Sequence, residues 1–161
     1  MLVDSVAEFT MRGGKRTRAF LCWLGFQAVS CQLSADSPKL LHAMMAVELF
    51  QSFALIHDDI IDKDTTRRGG PTVHVKLGVP MAILTGDLAL VWADECMQRV
   101  ESRKSKVKSV YQCMKEEVIL GQSLDVLAKE GKPSADRVTI NRYKTAWYSV
   151  IRPIQIGAAI E

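Results

Sequence analysis

Three carboxylates, Asp58, Asp59 and Asp62, close an apolar run in ALIHDDIIDKDTTRRGG (residues 54–70), and two arginines, Arg67 and Arg68, follow. On a helix, positions four apart share a face, so Asp58 and Asp62 project side by side while Asp59 points about 100° away. Two carboxylates on one face repel each other unless a cation sits between them. Mg²⁺ suits such a pair, because it takes one or two protein carboxylates and completes its shell with water and phosphate oxygens. Arginine is a preferred bidentate partner of phosphate, so acids and arginines together suit a metal-bound phosphate. The bland alternative is a solvated acidic helix end, since surface carboxylates are common. The apolar turns before the acids argue against it, because they place the acids at the border of a core or cavity.

Two other metal chemistries are worth testing on these residues. As a calcium loop, DKDTTRRGGPTV puts Arg67 where glycine is needed, Arg68 where a ligand belongs and Val73 at the bidentate Glu position, so that reading fails. The adjacent pair His57-Asp58, with His42 upstream, leaves open a helical metal-dependent phosphohydrolase. A single structural histidine is the competing reading of His57.

A basic cluster, RGGKRTR, presents Arg12, Lys15, Arg16 and Arg18 near the N-terminus. It is not a P-loop, since the glycine spacing is wrong and Lys15 is followed by Arg. As a diphosphate clamp, Gly13-Gly14 would let the backbone approach an anion, and Lys15 and Arg18 would share a face at a helix start. A solvated helix start or a weak nucleic-acid patch would explain the same charges.

These groups need elements to hold them. Nearly every segment has helical period, and none calls clearly for a strand. Ser37 and Pro38 form a good helix entry, and no Gly or Pro interrupts the chain from there to about Asp62. That long helix is apolar nearly all round, which predicts a place in the middle of a bundle. TTRRGGPTVHVKLGVP reads as a loop, with Pro80 opening the next helix. ESRKSKVKS reads as an exposed connection or helix start, and VYQCMKEEVILGQSLDVLAKEG as a helix stopped by Gly131. The last segment is helical, with a kink or break expected at Pro153. Met44, Met45, Met97 and Met114 read as core filler. The fold class is all-α, a helical bundle.

Composition excludes little more. The chain has 161 residues, is 48% hydrophobic and carries a net charge of +3, which suits a single domain and gives no reason to expect nucleic-acid binding. Cys22, Cys31, Cys96 and Cys113 sit in apolar patterns without zinc spacing and read as buried reduced thiols. The N-terminus lacks signal-peptide character and AFLCWLGFQAV is too short to span a bilayer, so a soluble cytoplasmic protein with no membrane span is expected.

Six stretches in order, GGKRTR, ELFQSFALIHDDIID, RRGGPTVH, AILTGDLAL, GQSLD and YKTAWYSVIRPIQIGAA, resemble the trans-isoprenyl diphosphate synthases, or polyprenyl synthetases. The resemblance implies an antiparallel bundle of the isoprenoid synthase type and a Mg²⁺-dependent prenyltransferase. Such an enzyme condenses isopentenyl diphosphate with an allylic diphosphate, as a homodimer or hetero-oligomer. It further implies that Lys15, Arg18, Gln51 and Arg68 contact isopentenyl diphosphate. Asp58 and Asp62 would be metal ligands, with Asp59 in support, and Arg67, Lys144 and Thr145 would face the allylic diphosphate. Gln51 lies seven residues before Asp58, two helical turns away on the same face. Phe53, five residues before Asp58, corresponds to a residue that closes the product tunnel, with core packing as the other reading. A product of farnesyl to geranylgeranyl length is expected. Gln122 and Asp125 share a helix face and belong near the site without an assigned role.

The family pattern continues to a second aspartate-rich motif that these residues do not contain. The resemblance thus implies a single polyprenyl synthetase domain over 1–161, cut before that motif. An incomplete bundle exposes apolar surface, which predicts self-association or a missing partner. By itself the chain is expected to bind diphosphates weakly and turn over slowly or not at all. A non-catalytic partner subunit of a larger synthase is the alternative.

Overall fold

The computed structural model describes residues 1–30, 37–100 and 106–160. Cys31 and residues 101–105, and with them the expectations about that thiol and that connection, lie outside the described residues.

The expected long helix is α3, Pro38–Asp62, entered through Ser37 and Pro38. Around it stand α1 (Leu2–Met11), α2 (Thr17–Val29), α5 (Val79–Gln98) and α6 (Lys106–Lys129). The final helical stretch is divided into α7 (Arg137–Asn141), a π-helical segment (Arg142–Ile151) and α8 (Arg152–Ala158). Pro153 falls in the first turn of α8, where its missing N–H costs nothing, so the proline marks the join between two helical forms.

The 65–80 region is more ordered than a loop. Thr66–Arg67 (β1) pairs antiparallel with Gly70–Pro71 (β2), and α4 (Val73–Leu77) follows. The hairpin needs a tight reversal, which Arg68 and Gly69 provide with positive φ of 52° and 76°. Strand propensity did not reveal it, because two-residue strands carry no alternation to read.

Phe50 of α3 is fully buried at the centre of the bundle. Its ring meets Phe53, Tyr111 and Tyr148 at centroid distances of 5.3, 6.2 and 5.7 Å. Such aromatic contacts add to the burial energy of the rings. On α6 the buried stripe Val107, Tyr111, Met114, Val118 has helical period and then turns polar at Gln122. On α3 the stripe Leu40, Ala43, Val47, Phe50 likewise gives way to Asp58 and Asp62. The pairs Phe50–Tyr111, Asp58–Gln122 and Asp62–Lys129 rise together in number, so α3 and α6 run parallel. Both C-terminal ends therefore open at one mouth. α3 packs chiefly on α5, and α6 on the π-helical segment and α8, so long side chains cross the gap between α3 and α6.

The all-round apolar surface of α3 is not all core. Leu41 and Met45 are more than two-fifths exposed, so Met45 is not core filler, whereas Met97 and Met114 are buried and Met44 is partly buried. Among the described residues, Pro38–Asp62 alone is long and apolar enough to cross a membrane by composition; in the fold half of its most apolar 18 residues are buried. The described cysteines are free; Cys22 is buried, and burial pushes its thiol up to about 12, while Cys96 and Cys113 are half-buried.

Candidate active site

At the mouth, Asp58 and Asp62, both partly buried on one face of α3, each have a partner across the gap. Asp58 Oδ1 accepts a hydrogen bond from the Gln122 amide at 2.7 Å and lies 3.3 Å from Lys144 Nζ. Asp62 Oδ1 accepts from Lys129 Nζ at 2.6 Å. Asp125, one turn from Gln122 on α6, is shared by Lys144 at 2.7 Å and Lys129 at 3.2 Å. Burial works to raise the Asp125 pKa, but hydrogen bonds from Lys144 and Lys129 outweigh it and hold the carboxyl below its ordinary value. The Asp62 hydrogen bond in turn raises Lys129.

Asp59 faces inward and is 1% exposed. Arg67 of the hairpin reaches it through Nε at 2.6 Å and also binds Asp64 at 2.7 Å. Burial nevertheless keeps the Asp59 carboxyl above its usual range, with Arg67 opposing. Its Oδ2 has no hydrogen-bond partner. The supporting place read for Asp59 is thus a buried ion pair that ties the hairpin to the end of α3.

Lys144 is brought to Asp58 by a close backbone approach. A Cβ on Gly121 would lie 2.7 Å from the Lys144 nitrogen and 2.9 Å from Tyr143 Cβ, so only glycine lets α6 and the π-helical segment meet there. π-helical turns are rare and gather at functional sites, and this one carries Lys144, Thr145 and Tyr148. Thr145 is not gathered with the acids; it lines an open depression with Val138, Trp147 and Ile151.

Deeper along α3 the groups are cationic. Arg18 stacks over the Tyr148 ring at 4.3 Å and donates to Ser149 Oγ at 2.5 Å. The buried Tyr148 hydroxyl donates to Gln51 Oε1. Arg68 donates to the Phe9 carbonyl at 3.1 Å and lies over the Phe9 ring. Its guanidinium is 3.5 Å from where a Cβ on Gly14 would stand. Burial, and then the neighbouring Arg16, hold the Arg68 pKa below its ordinary value. Glu48 answers Arg16 at 3.1 Å. Lys15 departs from expectation: α2 begins only at Thr17, with Gly13, Gly14 and Arg16 all at positive φ, so Lys15 sits exposed on an irregular link and shares no helix face with Arg18.

His57 turns away from Asp58. Its ring packs on Phe53 at 4.7 Å and against Gly86 of α5, and its Nε2 lies 3.4 Å from Asp87. This is a structural histidine, and the geometry gives the His-Asp phosphohydrolase no shared metal site. Phe53, buried between Phe50 and His57, stands at the base of the acid-bearing turns.

The donor set fits Mg²⁺. Asp58 and Asp62 offer hard oxygen ligands on one face, and both already have a cationic group within 3.3 Å. Among the described residues no three His, Cys, Asp or Glu side chains are placed to hold one metal ion between them, so water or phosphate would complete the shell, as Mg²⁺ prefers. The C-terminal ends of α3 and α6 add a partial negative field that favours a cation.

The Polyprenyl synthetase family model matches residues 1–161. The chain belongs to the polyprenyl synthetase family. Among its relatives is the short chain isoprenyl diphosphate synthase of Methanocaldococcus jannaschii, 43% identical over 129 residues, covering 78% of this chain and 38% of the relative. The farnesyl diphosphate synthase of Haemophilus influenzae is 31% identical over 153 residues, covering 89% and 50%. The fold matches the geranylgeranyl pyrophosphate synthase of Corynebacterium glutamicum, a structure complexed with isoprenyl diphosphate and magnesium. Its TM-score is 0.89 at 35% identity, over 99% of this chain and 51% of that one. The all-α reading thus holds, and the fold is that of these synthases. The chain spans about half the length of the structure it matches, or less of some relatives.

Residues that had no assigned role in the sequence lie among the carboxylates and lysines of this polyprenyl synthetase chain's mouth. Gln122, Asp125 and Lys129 lie on one face of α6 and reach Asp58, Lys144 and Asp62. Their spacing at i, i+3 and i+7 was the available signal. Tyr148 and Glu48 had none, since their partners are distant in sequence.

Proposed function

We propose that this chain takes part in a Mg²⁺-dependent trans-prenyl transfer that joins isopentenyl diphosphate to an allylic diphosphate. The arrangement of α3 supports it: a carboxylate pair at the mouth and, two turns deeper, Gln51 beside Arg18 and Arg68. In the reaction, the C1–O bond of the allylic diphosphate breaks and its electron pair leaves with the diphosphate. The alkene of isopentenyl diphosphate attacks the resulting carbocation, and a proton is lost from the adduct. Asp58 and Asp62 would hold the Mg²⁺, which would supply positive charge to offset that of the departing diphosphate. Lys144 adds a positive charge beside Asp58, and Arg67 a second behind Asp59. Arg18, Arg68, Gln51 and the exposed Lys15 hold the isopentenyl diphosphate. Phe50, Phe53 and Tyr148 supply apolar walls that keep water from the cation.

The test is consumption of isopentenyl diphosphate with an allylic primer. It should require Mg²⁺ and disappear in Asp58→Asn; phosphate release from a nucleotide instead would overturn it. Phe53→Ala is expected to lengthen the product, measured by chain-length analysis of the prenyl alcohols; an unchanged distribution removes Phe53 from that role. A second reading, a subunit that works only with another chain, is supported by exposed Leu84 and Val91 on α5 and Ile119 and Leu120 on α6. It predicts no turnover until a second chain is added.

A further inference from the structure

We propose that Lys129 is a resident cation of the mouth, holding Asp62 and Asp125 together until a divalent ion displaces it; this rests on Asp58 and Asp62 being the metal ligands. Lys129 Nζ stands 2.6 Å from Asp62 and 3.2 Å from Asp125, bridging α3 and α6. Three carboxylates, Asp58, Asp62 and Asp125, face two ammonium groups, so the lysines neutralise most of the charge that would otherwise drive the two helix ends apart.

The two lysines are not alike. Lys144 is 25% exposed, and the close contact at Gly121 fixes its backbone. Lys129 is 49% exposed, in the last turn of α6. Beside it lies a cavity of about 410 Å³ lined by Asp125, Lys129, Arg137 and Asn141. An ammonium on a four-carbon stem can swing into that space while its helix stays in place. A half-exposed ion pair is weak, so a divalent ion outcompetes it. Lys129 therefore sets the affinity of the mouth for metal and holds the gap closed in its absence. Lys144 remains beside Asp58.

Titration of the chain with Mn²⁺ alone at low ionic strength, following the free ion by EPR, tests this. Lys129→Gln is expected to bind Mn²⁺ about two- to fivefold more tightly than the unmodified chain. Lys129→Arg, which keeps the charge, should stay within about twofold of the unmodified chain. Asp62→Asn should bind most weakly. Acetylation of Lys129, read by mass spectrometry, should speed up when Mg²⁺ is added, and not in Asp62→Asn. Equal affinity of Lys129→Gln and the unmodified chain overturns the role of Lys129 alone. So does equal tightening by Lys129→Arg, or labelling indifferent to Mg²⁺. Absence of Mn²⁺ binding by the unmodified chain overturns the metal reading of Asp58 and Asp62, and the role of Lys129 with it.

Discussion

At the mouth of the site, Asp58, Asp62 and Asp125 meet two lysines, one of them half in solvent; about three helical turns deeper, Arg16, Arg18 and Arg68 gather around Glu48. The acid end is offset in part by compact charges on flexible stems, which exchange readily for another cation. The basic end is over-charged, and its planar guanidiniums rest on the rings of Tyr148 and Phe9. Under the proposed function, the first end trades a cation and the second receives an anion. Helix α3 runs past both, with Asp58 and Asp62 at the mouth and Glu48 and Gln51 at the basic end, so under the proposed function this one helix sets the distance between the metal-bound diphosphate and the other.

Breaking the acid end should cost most. Asp58→Asn is expected to lower Mg²⁺-dependent binding of an allylic diphosphate at least about 100-fold, by calorimetry, and leave isopentenyl diphosphate binding unchanged. Equal losses of both would erase the division between the ends. Next is Arg67→Gln, which strands Asp59 in the interior. Loss of one partner of a buried pair, discounted for the partial exposure of Arg67, predicts destabilisation of about 2–4 kcal/mol in chemical denaturation near neutral pH. The sign of its pH dependence follows from the raised Asp59 carboxyl. The folded chain then holds a proton that the unfolded chain has lost, so the variant should regain stability as pH falls through the folded value.

A smaller effect is expected at the basic end. Arg68→Ala should weaken isopentenyl diphosphate binding about 10- to 100-fold, the worth of a charge-assisted contact, with Mg²⁺ dependence intact. Gly121→Ala sharpens the comparison from a distance. Its Cβ would push the π-helical segment from α6, at a cost of about 1–3 kcal/mol in thermal or chemical unfolding, and loosen Lys144 from Asp58. Isopentenyl diphosphate binding should respond less than the metal-dependent step.

Most of the helical plan was legible because helix signals are local. The entry at Ser37-Pro38, the end near Asp62 and the start at Pro80 are written in caps, prolines and uninterrupted period. What failed was also physical. Lys15 and Arg18 were read on one helix, but the left-handed backbone at Arg16 delays the helix to Thr17. Met45 was read as core, yet an apolar residue does not say which side of a helix another element covers. His57 looked like a partner for Asp58 because the two are adjacent, and adjacent residues on a helix point about 100° apart.

The residues alone determined that Gln51, Asp58 and Asp62 share a line down one helix, because 3.6 residues per turn leaves no other arrangement. They also determined that Asp59 lies off that line. Only the tertiary structure decided that Arg67 neutralises Asp59, that Lys129 and Lys144 hold Asp62 and Asp58, and that Tyr148 joins Gln51 to Arg18. Those contacts join residues eight to 130 positions apart, through a hairpin, a glycine contact and a π-helical segment. Periodicity reports which residues share a face, while packing alone selects what stands opposite.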